Sequence, residues 1–426
     1  MSADNSFDSN ITRKLARIFL NAFESTRSLS KSVNTQLLEG KFDPSSGTTV
    51  DFKRPTDYTT KRTTDGDVSA LAPSPIITGK ATGTVQDYFT VDLEWTAIDQ
   101  ALKMDQLEQL IAPAATRIVT DLETDFALFM LENGGLSIGD PDTAVTTWQQ
   151  VADAGALMSS LGIPPGDWTY AINPFTQAKL ADAQRSLGAG GAAGEAVMTA
   201  LEMATLTRRF AGFERVIAVD SLQPLTTNAI TDRAGSLSAA PDVTYATAKD
   251  TMKQTWAVTG FTASLAVKAG EQVEVTGRNM INLSTKKTFL DNSGAQLKYR
   301  GTVTADVTLN GSGAGNLSIA GPAIFESDGA YNTSDTALAA SDVVTLLGTG
   351  STTYQPNLFF HRDAYGIGAV PQEKLYATDT IATTEDGLQI RCSKFADGRA
   401  NKQMVRFDLL PAYSVLNPFF GGQGHG

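Results

Sequence analysis

The stretch PAATRIVTDLETDFALFMLENGG, residues 113–135, decides how the rest of the chain is read. Ala114, Ile118, Leu122, Phe126 and Phe129 keep a three-to-four spacing, which lines up apolar side chains on one face of an α-helix. Pro113 suits the first turn, where its missing N–H costs nothing, and Asn133-Gly134-Gly135 suits the end. A short helix around Asp105–Ile111 precedes it. The pair predicts a helical spine for a mixed α/β domain.

Upstream, Asn10 can cap a helix in which Ile11, Leu15, Ile18, Phe19, Ala22 and Phe23 recur at helical spacing, with Arg13, Lys14 and Arg17 elsewhere on its surface. This amphipathic arm either packs on its own domain or docks on a neighbour or an assembly factor. A membrane-binding arm is a further reading of the same basic helix. Between Gly40 and Thr84 the chain is poor in apolar residues, yet the run Thr48–Arg54 leads in as a strand. Val85, Phe89, Val91, Leu93 and Trp95 alternate with mostly polar neighbours on the way out. The pattern predicts a long extended hairpin with too little apolar surface to fold alone.

Downstream, residues 146–209 read as a second helical region, broken by Gly162-Ile163-Pro164-Pro165 and by the loop Gly188–Gly194. Near Ser221 the texture changes to short β-like runs: Val273 and Val275 flank Glu274, and Val303, Ala305, Val307 and Leu309 alternate with Thr304, Asp306 and Thr308. Helical periodicity stays absent to Tyr354, which predicts an all-β barrel or sandwich inserted into a mixed host. Strand-like runs Ile390–Phe395 and Met404–Leu410 then complete the host from its far end.

Composition narrows the function. The 426 residues, 42% of them apolar, allow two or three cores at roughly 150 residues per domain. No run of about 18 apolar residues occurs and the amino terminus lacks the order of a secretory signal, which places the chain in a cytoplasm. One cysteine, Cys392, excludes an intrachain disulfide framework, and only His361 and His425 are available for imidazole chemistry, the latter in a Gly-rich end expected to be mobile. A formal charge of −12 argues against a general electrostatic grip on nucleic acid.

No motif carries chemistry well. Gly135-Leu136-Ser137-Ile138-Gly139 matches the G-x-S-x-G nucleophile pattern, but a helix precedes it, Asp140-Pro141 follows, and a turn is expected. A hydrolase using Ser137 is the rival from another class. The Gly188–Ala193 run lacks the preceding strand of a dinucleotide fingerprint. Asp121 and Asp125 share a helix face, Glu123 points elsewhere, and Arg117 balances a solvated surface better than a metal would. The pairs Lys53-Arg54, Lys61-Arg62, Arg208-Arg209 and Lys286-Lys287 lack interleaved aromatics and read as intersubunit or solvated charges. No catalytic, cofactor-binding or metal site is expected.

What remains is an order of parts: helical arm, unsupported hairpin, spine helix, and a β insertion between two halves of a host. Phe52-Lys53-Arg54-Pro55, Gly79-Lys80-Ala81-Thr82-Gly83, Gln106-Leu107-Glu108 and Arg117 through Thr124 sharpen it, as do Lys268 through Val273, Pro356-Asn357-Leu358-Phe359, Ala396-Asp397-Gly398 and Arg406 through Tyr413. Along essentially its whole length the chain resembles the coat proteins of short-tailed bacteriophages, the family of Shigella phage Sf-six and Salmonella phage P-twenty-two. The resemblance implies an α+β, Hong Kong-type tailed-phage capsid fold with an inserted Ig-like or telokin-like β-barrel. It divides the chain into an arm (1–39), an extended loop (40–84), a peripheral domain with the spine (85–145), an axial domain (146–221), the barrel (222–353) and a return to both host domains (354–426).

It further implies a non-enzymatic major capsid protein forming hexamers and pentamers of an icosahedral T=7 shell, procapsid first and expanded capsid later. The implied partners are other copies of the chain, a scaffolding protein, a portal protein and double-stranded DNA held without sequence-specific contact, with no membrane and no cofactor. Assembly would take place in the host bacterial cytoplasm. The implied intersubunit contacts are Lys53, Arg54, Lys61, Arg62 and Lys80 of the loop, with Lys249 and Asp250 in an insertion loop after Tyr245. Arg13, Lys14 and Arg17 form the candidate docking arm. The lineage implies no Lys61 or Lys80 cross-link. A cellular compartment shell of the same fold is the alternative.

Overall fold

The computed structural model describes residues 7–35, 49–71, 73–96, 107–187, 203–204, 206, 209–397, 399 and 402–426. The Gly188–Gly194 loop, Arg208 and the start of the extended loop lie outside them. Four longer helices occur among the described residues: α1 (Phe7–Thr26), α2 (Leu107–Asn133), α3 (Trp148–Ser160) and α4 (Pro174–Leu187).

The spine prediction holds with one correction. A single helix, α2, runs through Pro113 instead of starting there, and it ends at Asn133 as the Asn-Gly-Gly signal requires. Ile111, Ala114, Ala115, Ile118 and Val119 bury this stretch on either side of the proline, and that burial offsets the lost hydrogen bond. Asn10 likewise lies inside α1 and is not its cap, since the helix already begins at Phe7.

The residues divide into two compact units. In the first, the strands Thr380–Thr383, Gln389–Asp397, Lys402–Leu409 and Phe89–Thr96 form an antiparallel sheet in that order. Helix α1 packs its apolar face on this sheet: Leu15, Phe19 and Phe23 are fully buried, and the Phe19 ring stacks on Phe407 at 4.2 Å. Of the two readings of the arm's apolar face, the structure shows packing on its own chain. Asp408 is buried in the sheet, accepting from Arg391 Nη2 and Arg406 Nε, both at 2.6 Å, and from Thr90 Oγ1 at 2.8 Å. Burial pushes its carboxyl up, but those donors outweigh burial and hold it below the usual range.

Glu123 corrects the solvated-face reading of α2. It is only 4% exposed and accepts from the Leu29 and Ser30 backbone N–H groups at 2.7 and 3.1 Å and from the Ser30 hydroxyl. Arg117 and Asp121 do form the expected surface pair, at 3.0 Å.

The second unit holds a mixed five-stranded sheet, ordered Leu136–Ile138, Gly421–Gly424, Asn357–His361, Trp168–Ile172, Arg215–Ala218. The strand Trp168–Ile172 interrupts the expected helical region; every residue in it is buried, so it carries neither alternation nor helical period. The Gly-rich end is a strand, not a mobile tail. A Cβ on Gly422 would overlap the Leu136 carbonyl and one on Gly424 the Tyr170 hydroxyl, so these glycines serve close packing. His425 is 3% exposed, and its ring meets Tyr354 edge-on at 5.5 Å.

In the same unit the β-rich stretch forms a closed six-stranded antiparallel barrel: Gln272–Asn279, Lys298–Val303, Gly315–Ala320, Lys253–Thr259, Ala234–Leu237 and Val343–Leu346, returning to the first. Alternation explains it: Val273, Val275, Trp256, Val258, Leu317 and Ile319 point inward and are essentially fully buried. Polar contacts fasten it to the rest of the unit. Gln423 Nε2 donates to the Gly270 and Leu131 carbonyls at 2.8 and 3.1 Å, and Arg300 Nη1 donates to the Gly139 carbonyl at 2.9 Å.

Candidate assembly surface

Several of the expected contact residues converge where the base of the extended hairpin meets the barrel. The hairpin's two base strands are Thr49–Lys53 and Lys80–Val85, side by side in one sheet. Across them Asp51 accepts from Lys80 Nζ at 2.8 Å and from Thr82 Oγ1 at 2.6 Å. The Lys80 hydrogen bond holds the Asp51 carboxyl below its usual range and the Lys80 ammonium above its own.

Arg54, expected among the intersubunit contacts, is turned inward. It is 9% exposed, and its guanidinium donates to the backbone carbonyls of Lys80 (3.0 Å), Val415 (3.2 Å) and Leu416. Burial lowers it to about 10, with Tyr245 and Asp250 partly opposing the shift. Lys249 pairs with Asp250 at 2.6 Å, and Asp250 also accepts from the Lys80 backbone N–H at 3.2 Å. Gly79 leaves no room for a side chain: a Cβ there would collide with the Lys249 carbonyl and touch the Tyr245 hydroxyl.

Two aromatics complete the joint. Tyr245 and Tyr331 stack with ring centroids 3.6 Å apart and planes 3° from parallel. The Tyr331 hydroxyl accepts from the Asp57 N–H at 3.0 Å and donates to the Ile77 carbonyl at 3.1 Å. Lys286 lies 3.6 Å from the Asp57 carboxylate. Neither Tyr331 nor Lys286 is legible as a joint residue from sequence, because their partners in the hairpin lie more than 200 positions away.

Beyond the joint the hairpin exposes Tyr58, Val68, Leu71 and Ile76, the last at 73%. Lys53 and Arg62 are exposed and Lys61 half-buried. On α1, Arg13, Lys14 and Arg17 project to solvent opposite the packed face. Ser137 lies in the short strand Leu136–Ile138, not in a turn. It is 4% exposed, with no strand-to-helix elbow, so it presents no nucleophile. Cys392 is buried, and burial pushes its thiol up to about 12, which keeps it protonated and inert. Among the described residues no acidic, histidine and cysteine cluster could hold a metal, and no helix is long and apolar enough to cross a membrane.

The family model described as P22 coat protein, gene protein 5, matches residues 3–426. The chain is 38% identical over 425 residues to the major capsid protein of Acyrthosiphon pisum secondary endosymbiont phage 1, covering 99% of each. The chain belongs to the P22 coat protein family and is a phage major capsid protein, a non-enzymatic component of the virion shell. Among solved structures it is similar to one from Mycobacterium phage Che8, at TM-score 0.45, 10% identity and coverage of 92% and 88%. It is also similar to a virus-like particle from Pyrococcus furiosus, at TM-score 0.39, 8% identity and coverage of 97% and 98%.

Proposed function

We propose that the chain has the Hong Kong-type capsid fold and that its barrel is an Ig-like or telokin-like insertion between two parts of an axial domain. The divisions at 39, 84, 145, 221 and 353 are the domain boundaries of that reading. Copies assemble into hexamers and pentamers of a T=7 procapsid on a scaffolding protein, with a portal at one vertex, and expand around double-stranded DNA. Assembly takes place in the cytoplasm of the bacterial host.

The observation that carries the reading is the hairpin. It leaves Tyr58 and Ile76 at 53% and 73% exposure while its base is fastened to the barrel, which favours a segment whose apolar side chains are covered by another copy. Lys53, Lys61, Arg62 and Lys80, with Lys249 and Asp250, then flank that contact. The exposed Arg13, Lys14 and Arg17 face of α1 favours docking of an acidic segment of the scaffold or of a neighbour.

Electron microscopy of the purified subunit, with and without a co-expressed scaffolding partner, tests the assembly. Uniform closed shells with suppressed trypsin cutting at Lys61 and Arg62 are expected. A monodisperse monomer under both conditions would overturn it, and particles that hold protein cargo without nuclease-protected DNA would favour the compartment-shell alternative.

A further inference from the structure

We propose that the Tyr331 phenol is a latch by which the inserted barrel presets the extended hairpin before the hairpin meets another subunit. One hydroxyl holds both legs: it takes the Asp57 N–H of the outgoing leg and gives its proton to the Ile77 carbonyl of the returning leg. Its ring is fixed flat on Tyr245, which is 3% exposed, so the oxygen that bridges the legs is itself held in place. Lys286 beside Asp57 is a second tie from the barrel to the outgoing leg.

The hairpin needs such a clamp. Its described side chains between Asp57 and Ile77 are mostly exposed, so it gains little from self-packing to offset the entropy of holding two legs together. A preset hairpin loses less freedom on docking than a splayed one. The barrel thereby influences the contact that the hairpin makes. That consequence rests on the intersubunit reading above, but the latch is measurable without it.

The test uses the full-length free subunit below its assembly concentration, with trypsin cutting at Lys61 and Arg62 as the readout. Tyr331→Phe, which removes both hydrogen bonds and keeps the ring stack, is expected to speed cutting there about five- to tenfold. Asp57→Pro removes the same N–H from the hairpin side together with the Lys286 pairing, and is expected to speed cutting beyond Asp57→Ala, which removes that pairing and keeps the N–H. Trp256, fully buried in the barrel, reports barrel integrity by fluorescence. Unchanged cutting in Tyr331→Phe and Asp57→Pro would overturn the latch, as would wild-type cutting already at the rate of an unstructured peptide. If Tyr331→Phe opens the barrel, the comparison of Asp57→Pro with Asp57→Ala decides, and equal cutting in those two would overturn the latch. Suppressed cutting in wild-type shells relative to free subunits tests the intersubunit contact separately, so either idea can fail while the other stands.

Discussion

The carboxylate of Glu123, midway along α2, receives the backbone N–H groups of Leu29 and Ser30 just after α1 ends, at 2.7 and 3.1 Å. It thus fixes where the arm leaves its helix relative to the spine, inside one compact unit. Glu123→Ala would leave two backbone donors and the Ser30 hydroxyl without their acceptor in a buried site. A loss of about 2–4 kcal/mol is expected, read as a lower denaturant midpoint at unchanged slope. A variant within about 0.5 kcal/mol of wild type would show that these donors find other partners.

Gly79 faces the Lys249 carbonyl with no space for a methyl group. Gly79→Ala is therefore expected to push the hairpin base off the barrel, lowering stability by about 1–3 kcal/mol and raising amide exchange around Lys80 and Asp250. Exchange at those positions equal to wild type would count against the close approach.

The buried imidazole of His425 makes stability depend on pH. Burial, and Arg300 beside it, lower its proton affinity to about 4, with Asp142 opposing, whereas an unfolded histidine titrates near ~6.5. The unfolded chain therefore takes up a proton that the native chain refuses, so the contribution is fully present above about pH 6.5 and is lost as pH falls toward 4. Across that window it amounts to ~3 kcal/mol. Denaturation of wild type and His425→Gln at pH 7 and pH 4.5 checks it: the variant should lose less on acidification. Equal losses would place the acid sensitivity elsewhere.

Asp408 joins Arg391 and Arg406 within the sheet of the first unit. Removing the anion while leaving buried Arg391 in place should cost about 3–5 kcal/mol, more than Arg406→Ala, whose guanidinium is the more exposed. Thermal melts of Asp408→Ala and Arg406→Ala give the order, and a reversal would show that Arg406 carries the pair.

Elements that announce themselves in sequence are those that bury one face. The spine helix, arm, sheet strands and barrel all show period or alternation, because solvent lies on their other side. The strand Trp168–Ile172 is buried on both faces and reads as part of a helical stretch. Glu123 looks solvated because its partners lie near residue 30, and nothing local marks a carboxylate that answers distant backbone. The glycines at 421–424 look like a tail because composition alone cannot separate a chain that needs freedom from one that needs room for a neighbouring backbone. At the assembly surface, the charged residues are legible and their directions are not: Arg54 turns inward while Lys53 beside it faces out.

The strand Gly421–Gly424 is inserted between Leu136–Ile138 and Asn357–His361, pairing Gly422 with both Leu136 and Phe359. A sheet whose interior strand comes from far along the chain has a distinctive folding order. The barrel's strands all lie between Ala234 and Leu346, so their pairing can be complete while the host sheet still has two open edges. Closure of that sheet is the long-range step and is expected to be the slow one. Until it happens, the Leu136 and Asn357 strands can recruit a strand from another chain. In a capsid subunit, a sheet left open in this way is expected to be the site where misassembly competes with native closure.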